Sequence, residues 1–224
     1  MKTCYIVAAG DFASERFHPE PDALIIAADA GWRHLESLGM RPDVALGDFD
    51  SLGTVPDFPD VEVCPVEKDD TDTVIAVRRA LERGCTRLLI FGGTGGERFD
   101  HSLANIQTLV FALHAGAEEA WLIGPDCTMT VLERATLAFS GYEGGFSAFC
   151  LGDRAEGVCE RGAKYPLEDA ALTYDFPLGV SNAFSGAETL VSVRTGSLLV
   201  FWQGNLDRPL PAVRREPDKS GLVL

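Results

Sequence analysis

The chain has 224 residues, 46% of them hydrophobic, which is enough to build a core without disulfide or metal staples. Its formal charge is −15, from 34 acidic against 19 basic side chains, and this disfavours nucleic-acid backbones, whose binding relies on clustered lysine and arginine. A nucleoside triphosphate can be held by so acidic a chain only with a divalent ion and a few placed basic groups, whereas a cationic small molecule is attracted outright.

Strands and helices alternate through the first half. The apolar runs predict strands at Thr3 to Ala9 and Leu24 to Ala28, then a helix at Gly31 to Leu38 with Trp32, Leu35 and Leu38 as its buried stripe and Gly39 as its stop. Strands at Asp43 to Leu46 and Val61 to Pro65 precede a helix from about Thr71 to Arg83, with Val74, Val77 and Leu81 on one face. Strand Arg87 to Phe91, helix Ser102 to Ala115 (Leu103, Ile106, Val110, Leu113) and strand Ala120 to Ile123 complete the pattern. This order predicts a mostly parallel sheet covered by helices, an α/β N-terminal domain over residues 1–130. Beyond Thr130 the helical period stops. Short runs rich in Val, Phe, Leu and Thr, at Met129 to Leu132, Thr136 to Phe139, Phe146 to Leu151, Ala171 to Tyr174, Thr189 to Val193 and Ser197 to Trp202, predict a smaller all-β domain over residues 131–224, with an irregular tail from Arg208. No stretch reaches the length of a membrane span, and the apolar run from Tyr5 is too short for a signal peptide. The six cysteines are scattered, without a C-x-x-C pair, which points to reduced thiols and a cytoplasmic protein.

Three polar clusters each follow one of the predicted strands: Gly47-Asp48-Phe49-Asp50-Ser51, Lys68-Asp69-Asp70-Thr71-Asp72, and Gly92 to His101. In an open α/β sheet the loops leaving the carboxyl ends of the strands meet along one edge, so these clusters converge. Convergence gathers Asp48, Asp50, Asp69, Asp72 and Asp100 around Arg98. Two carboxylates about 4 Å apart repel by roughly 4 kcal/mol at an effective dielectric near 20. Such a nest requires a cation, and hard oxygen donors beside phosphate favour Mg²⁺.

Within the first cluster, Asp48 and Asp50 alternate around an apolar Phe49, which turns both carboxylates to one side. In the second, one acid suffices to cap a helix, so Asp70 is assigned to capping or solvent while Asp69 and Asp72 stay candidate ligands. Lys68 reads equally as a solvated lysine or a phosphate contact. In the third, the glycines Gly92 to Gly96, Gly95 among them, expose backbone N–H groups where a helix begins, an anion cradle without the Lys-Ser/Thr of a Walker A loop. Arg98 is its natural phosphate partner. His18, His34 and His114 carry no motif and read as solvated or simply structural.

Taken in order, Asp29-Ala30-Gly31, the three clusters with Asn105, Lys164-Tyr165-Pro166-Leu167 and Ser181-Asn182 resemble the thiamine pyrophosphokinase family over about the whole chain. The resemblance implies a homodimer of two-domain subunits, a nucleotide-binding α/β domain followed by a thiamine-binding β-sandwich. The activity it implies is ATP-dependent transfer of pyrophosphate to the hydroxyl of thiamine, giving thiamine diphosphate and AMP. It makes Asp48, Asp50, Asp72 and Asp100 Mg²⁺-binding or catalytic carboxylates, Mg²⁺ falling to Asp48, Asp50 and Asp72. It puts Lys68, Asp69, Gly95 and Arg98 near the phosphates, and Tyr165, Ser181 and Asn182 at thiamine. Ala30 departs from the pattern, since glycine is usual there. Either Asp72 or Asp100 is the candidate acceptor for the hydroxyl proton. Two other readings remain open: the same metal site serving a different acceptor, a hydroxymethylpterin or water, and a nucleotide-binding module without turnover.

Overall fold

In the computed structural model the chain divides by its internal contacts into residues 1–130 and 131–224. The structure describes residues 1–49, 53–57, 59–65, 69–186, 188–205 and 207–215.

The first unit is built on strands β1 (Thr3–Val7), β2 (Leu24–Ala28), β3 (Val44–Gly47), β4 (Val61–Val63), β5 (Arg87–Phe91), β6 (Glu119–Ile123) and β7 (Cys127–Leu132). Their order across the sheet is β7-β6-β5-β1-β2-β3-β4. Every neighbouring pair is parallel except β6 with β7. Strands β1 and β3 are buried at every position, as expected of strands covered on both faces. The chain runs from β1 outward through β2, β3 and β4, then crosses back to place β5 on the other side of β1. The gap beyond the carboxyl ends of β1 and β5 is therefore the switch point, where a parallel sheet opens a crevice.

Three helices connect the strands: α1 (Gly31–Ser37), α2 (Asp72–Glu82) and α3 (Phe99–His114). Both α1 and α2 end where a glycine takes a positive φ, at Gly39 (67°) and Gly84 (78°). The predicted stripes shift. In α2 the buried residues are Thr73, Ala76, Val77 and Ala80, and in α3 they are Asn105, Thr108, Leu109 and Ala112, while Leu103 is exposed. The buried lines mix sizes: Thr73, Ala76, Ala80, Thr108 and Ala112 share them with Val77 and Leu109. Helix α3 also starts three residues earlier than its apolar period suggests, which puts Asp100 and His101 in its first turn.

The second unit is antiparallel. It contains β8 (Ala135–Phe139), β9 (Gly145–Cys150), β10 (Arg154–Arg161), β11 (Ala170–Thr173), β12 (Asn182–Ala183), β13 (Thr189–Val193), β14 (Leu198–Gln203) and β15 (Ala212–Arg215). One set pairs in the order β12-β9-β14 and the other in the order β11-β10-β13-β8-β15. Phe139 of β8 meets Trp202 of β14 edge-on at 5.2 Å, and Phe146 of β9 lies 4.9 Å from Phe184, so aromatic side chains from both sets share a core. Residues 212–215, expected in an irregular tail, pair along β8 as a short edge strand. The six cysteines are free thiols, and no helix among the described residues is long and apolar enough to cross a membrane.

Candidate functional site

Two cavities concentrate the polar residues, one in each unit. The first, about 410 Å³, opens at the switch point of the parallel sheet. Its floor is backbone: Ala8 to Gly10 leaving β1 and the glycine loop leaving β5 are joined by Ala8 N–H to Phe91 O (2.8 Å), Gly10 N–H to Gly92 O (2.7 Å) and Asp11 N–H to Thr94 O (2.8 Å). Gly92 sits at φ +64°, and a Cβ there would fall 2.2 Å from Ala8 O, so only glycine closes this seam. His34 supports the same loop through a contact between Nε2 and Gly10 O (3.0 Å) and by stacking on Phe12, consistent with a structural role.

Among the described residues, the carboxylates of Asp29, Asp48, Asp70, Asp72 and Glu97 line this cavity together with the guanidinium of Arg98. Each acid follows from its element. Asp29 and Asp48 end β2 and β3; Asp29 holds φ +47°, and the buried Phe49 at φ +56° anchors the turn that presents Asp48. Asp70 to Thr73 enter from the start of α2, whose cap is the Thr71 hydroxyl, accepting from Val74 N–H at 3.3 Å. Asp70, assigned by sequence to capping or solvent, instead lines the cavity and pairs with Arg78 at 3.0 Å. Ala30, in place of the usual glycine, has φ −64° and is unstrained. The glycine demand falls on Gly31, whose Cβ would lie 1.9 Å from Val7 O.

The structure thus brings Asp48, Asp72, Gly95 and Arg98 to one cavity, while Asp69 and Asp100 are not among its lining residues. Asp50 and Lys68 lie outside the described residues. Arg98 Nε and Nη2 donate to Asp100 Oδ1 (2.9 Å) and Oδ2 (2.6 Å), a bidentate pair in solvent. Hydrogen bonding from Arg98 lowers the Asp100 pKa to about 2. Helix α3 starts after Arg98 without a side-chain cap on its first turn. Asn105, buried, fixes that loop through Nδ2 to Gly93 O at 2.9 Å.

A cation fits these donors. Asp29 Oδ1 is buried and receives no hydrogen bond from the described residues, and the neighbouring donors are carboxylate oxygens, the ligands of hard ions. No cluster of three or more metal-type side chains forms among the described residues.

The second cavity, about 270 Å³, gathers Tyr165, Ser181 and Asn182 with Glu160 and apolar Leu167 and Leu178. Tyr165 is exposed, with Lys164 Nζ 5.2 Å from its ring centre. Asn182 is buried and its amide is saturated. Oδ1 accepts from the N–H groups of Tyr165 (3.0 Å) and Ala183 (2.8 Å), and Nδ2 donates to Glu160 Oε2 (2.5 Å) and Tyr165 O (2.7 Å). Sequence reasoning passed over Glu160 because β10 itself was not predicted: Glu156, Gly157, Glu160 and Arg161 break the apolar alternation that reveals a strand. The only signal was an acid two residues after Val158, on the side of the strand that is buried.

Comparison with known proteins matches both units. The profile of the thiamin pyrophosphokinase catalytic domain covers residues 20–119, and that of the thiamin pyrophosphokinase vitamin B1 binding domain covers residues 138–200. A thiamine pyrophosphokinase of Bacillus subtilis is 38% identical over 118 residues, 49% of this chain and 55% of that protein, so the aligned part spans about half of the relative's length. Solved structures extend the likeness. The crystal structure of thiamine pyrophosphokinase from Bacillus subtilis superposes with a TM-score of 0.81 at 27% identity, covering 91% of this chain and 100% of that one. That of the enzyme from Geobacillus thermodenitrificans gives 0.77 at 27% identity over 91% and 98%. Yeast thiamin pyrophosphokinase, at 13% identity and a TM-score of 0.70 over 92% and 87%, shares the fold. With both of its units matched in order, the chain belongs to the thiamin pyrophosphokinase family.

Proposed function

We propose that the chain transfers pyrophosphate from ATP to the hydroxyl of thiamine, releasing AMP and thiamine diphosphate. The observation that carries this reading is the first cavity: carboxylates from the ends of β2, β3 and the start of α2, facing a glycine loop and Arg98 at the switch point of a parallel sheet. Acids and an anion cradle in one crevice make sense for a metal-bound polyphosphate and for little else.

Asp48 and Asp72, with Asp50 beside them in sequence, would hold Mg²⁺, which when bound neutralises charge on the phosphate oxygens. The glycine loop and the uncapped first turn of α3 offer N–H groups to the phosphates, and Arg98 offers its fork, exchanging Asp100 for phosphate oxygens. Lys68 and Asp69 complete the phosphate side. The thiamine hydroxyl oxygen bonds to the β-phosphorus as the bond from that phosphorus to the bridging oxygen breaks; AMP leaves, and the hydroxyl proton passes to a carboxylate. Between the two candidates, Asp72 lines the cavity and Asp100 does not, which favours Asp72. Most of the rate comes from alignment and charge stabilisation, as in phosphoryl transfer generally. Tyr165, Ser181 and the residues around Asn182 form the thiamine side, on a β-sandwich, in a cytoplasmic homodimer.

The test is product analysis with ATP and Mg²⁺. AMP formed only when thiamine is added supports this function. Thiamine-independent phosphate release would make the chain a nucleotide hydrolase, ADP would make it a monophosphate kinase, and ATP binding without turnover would make it a binding module. Sedimentation of the active enzyme tests the dimer, and a strictly monomeric active species would refute it.

A further inference from the structure

Glu160 is the residue in the second cavity whose bonding is unfinished. It is 1% exposed, near the end of β10, and lines the cavity beside Tyr165 and Asn182. Its Oε2 accepts from Asn182 Nδ2, but its Oε1, equally buried, receives no hydrogen bond from the described residues. A buried carboxyl oxygen without a donor is costly, so its retention on a cavity wall calls for a partner that arrives from outside.

Asn182 cannot be that cavity's reader. Both its acceptor positions and both its donors are engaged within the chain. What its amide does is fix the Glu160 carboxyl and the Tyr165 backbone relative to each other. The unused acceptor capacity belongs to Glu160 Oε1.

Chemistry then selects the ligand group. Thiamine has two conventional hydrogen-bond donors, the amino group of its pyrimidine ring and its primary hydroxyl; the thiazolium ring has none. The hydroxyl is the reacting group and must face the phosphates, which leaves the amino group for an acceptor elsewhere. We propose that Glu160 determines specificity in this cavity, its Oε1 accepting a hydrogen bond from the pyrimidine amino group, with Asn182 as the positioning residue that orients it. This assignment rests on the thiamine reading above.

The experiment compares thiamine with its analogue in which a carbonyl oxygen replaces the pyrimidine amino group, using KM and kcat for AMP formation by the whole enzyme. The wild type should prefer thiamine. In Glu160→Gln, the side-chain oxygen keeps the Asn182 hydrogen bond and the new NH2 group faces the cavity, a donor where an acceptor stood. The thiamine KM should rise roughly 10- to 100-fold with kcat changed far less, while the carbonyl analogue improves, so the preference collapses or inverts. Unchanged discrimination, or an equal loss for both compounds, overturns the role of Glu160 while leaving the enzyme's function standing. Should Glu160→Gln fail to fold by circular dichroism, Glu160→Asp decides: it withdraws the acceptor but keeps it, so the thiamine KM should rise more than that of the analogue, and parallel changes overturn the proposal. A wild-type chain that forms no AMP with thiamine removes the functional reading and this assignment together.

Discussion

The two cavities solve opposite problems. In the first unit the site is made where loops leave a parallel sheet: backbone N–H groups, carboxylates from several loops and an exposed Arg98 whose partner is another exposed side chain. Under the proposed function its charge is balanced by the ions and phosphates that bind. In the second unit a single acid is buried on a strand, held by one saturated amide, and only one of its oxygens remains unmet. The first cavity is tuned by charge, and the second by the count of hydrogen bonds at one buried acid. Substitutions should therefore act on turnover and ATP binding in the first and on thiamine recognition in the second.

The largest effects belong to the charged site. Asp72→Asn keeps the shape of the side chain and removes its charge, so kcat should fall by at least about 10²- to 10³-fold with the circular dichroism spectrum intact. Chelation of divalent ions should produce the same silence, reversed by added Mg²⁺. Near-normal turnover in both Asp72→Asn and Asp48→Asn would dissolve the contrast between the cavities, because the acids would then be ordinary loop polarity. Next comes the seam beneath them. Gly92→Ala demands a Cβ 2.2 Å from Ala8 O at φ +64°, which should cost about 1–3 kcal/mol in strain and shift the β1 and β5 loops apart. Thermal melting and ATP affinity should drop together, and a variant as stable and as tight as the wild type would show the seam to be irrelevant. Arg98→Lys is milder. A lysine keeps the charge but loses the two-pronged geometry, so the KM for ATP should rise roughly tenfold and that for thiamine should hardly move. Equal shifts in both would mean that Arg98 serves the fold.

What was legible in the sequence follows the same divide. The parallel sheet announces itself through continuous apolar runs such as Leu24 to Ala28 and Arg87 to Phe91, and the clusters after them fall on one edge for topological reasons. Asp48, Asp72 and Arg98 could be placed together for that reason alone. The helix faces were misread because apolar size and burial diverge there: Ala76 and Ala80 are fully buried and Leu103 faces solvent. In the second unit β10, β12 and β15 escaped notice. Two of them carry charges or glycine where alternation should be, and β12 is two residues long. Glu160 was hidden by the same irregularity, and the saturation of Asn182 is a fact of three-dimensional hydrogen bonding that no spacing encodes.

The smallest effect isolates the buried acid without any ligand. Burial raises the Glu160 pKa from its ordinary 4.5, and the hydrogen bond from Asn182 offsets this in part. The folded chain therefore holds the Glu160 proton more tightly than the unfolded chain does. Below the ordinary carboxylate range both states are protonated and the group costs nothing. As pH rises from that range to the folded-state value, the unfolded chain binds fewer protons than the folded one and stability is lost. Above that value the cost is constant. Glu160→Gln has no proton to lose, so its melting temperature relative to the wild type should be higher at pH 8 than at pH 5. Each kcal/mol of relieved cost corresponds to about 2–4 °C in a chain of this size. Taking the difference between the two proteins cancels every other titration they share, so a difference that is flat between pH 5 and pH 8 would mean that Glu160 is not held in a desolvated setting, and the contrast between a charge-driven cavity and a bond-counting one would fail on its second half.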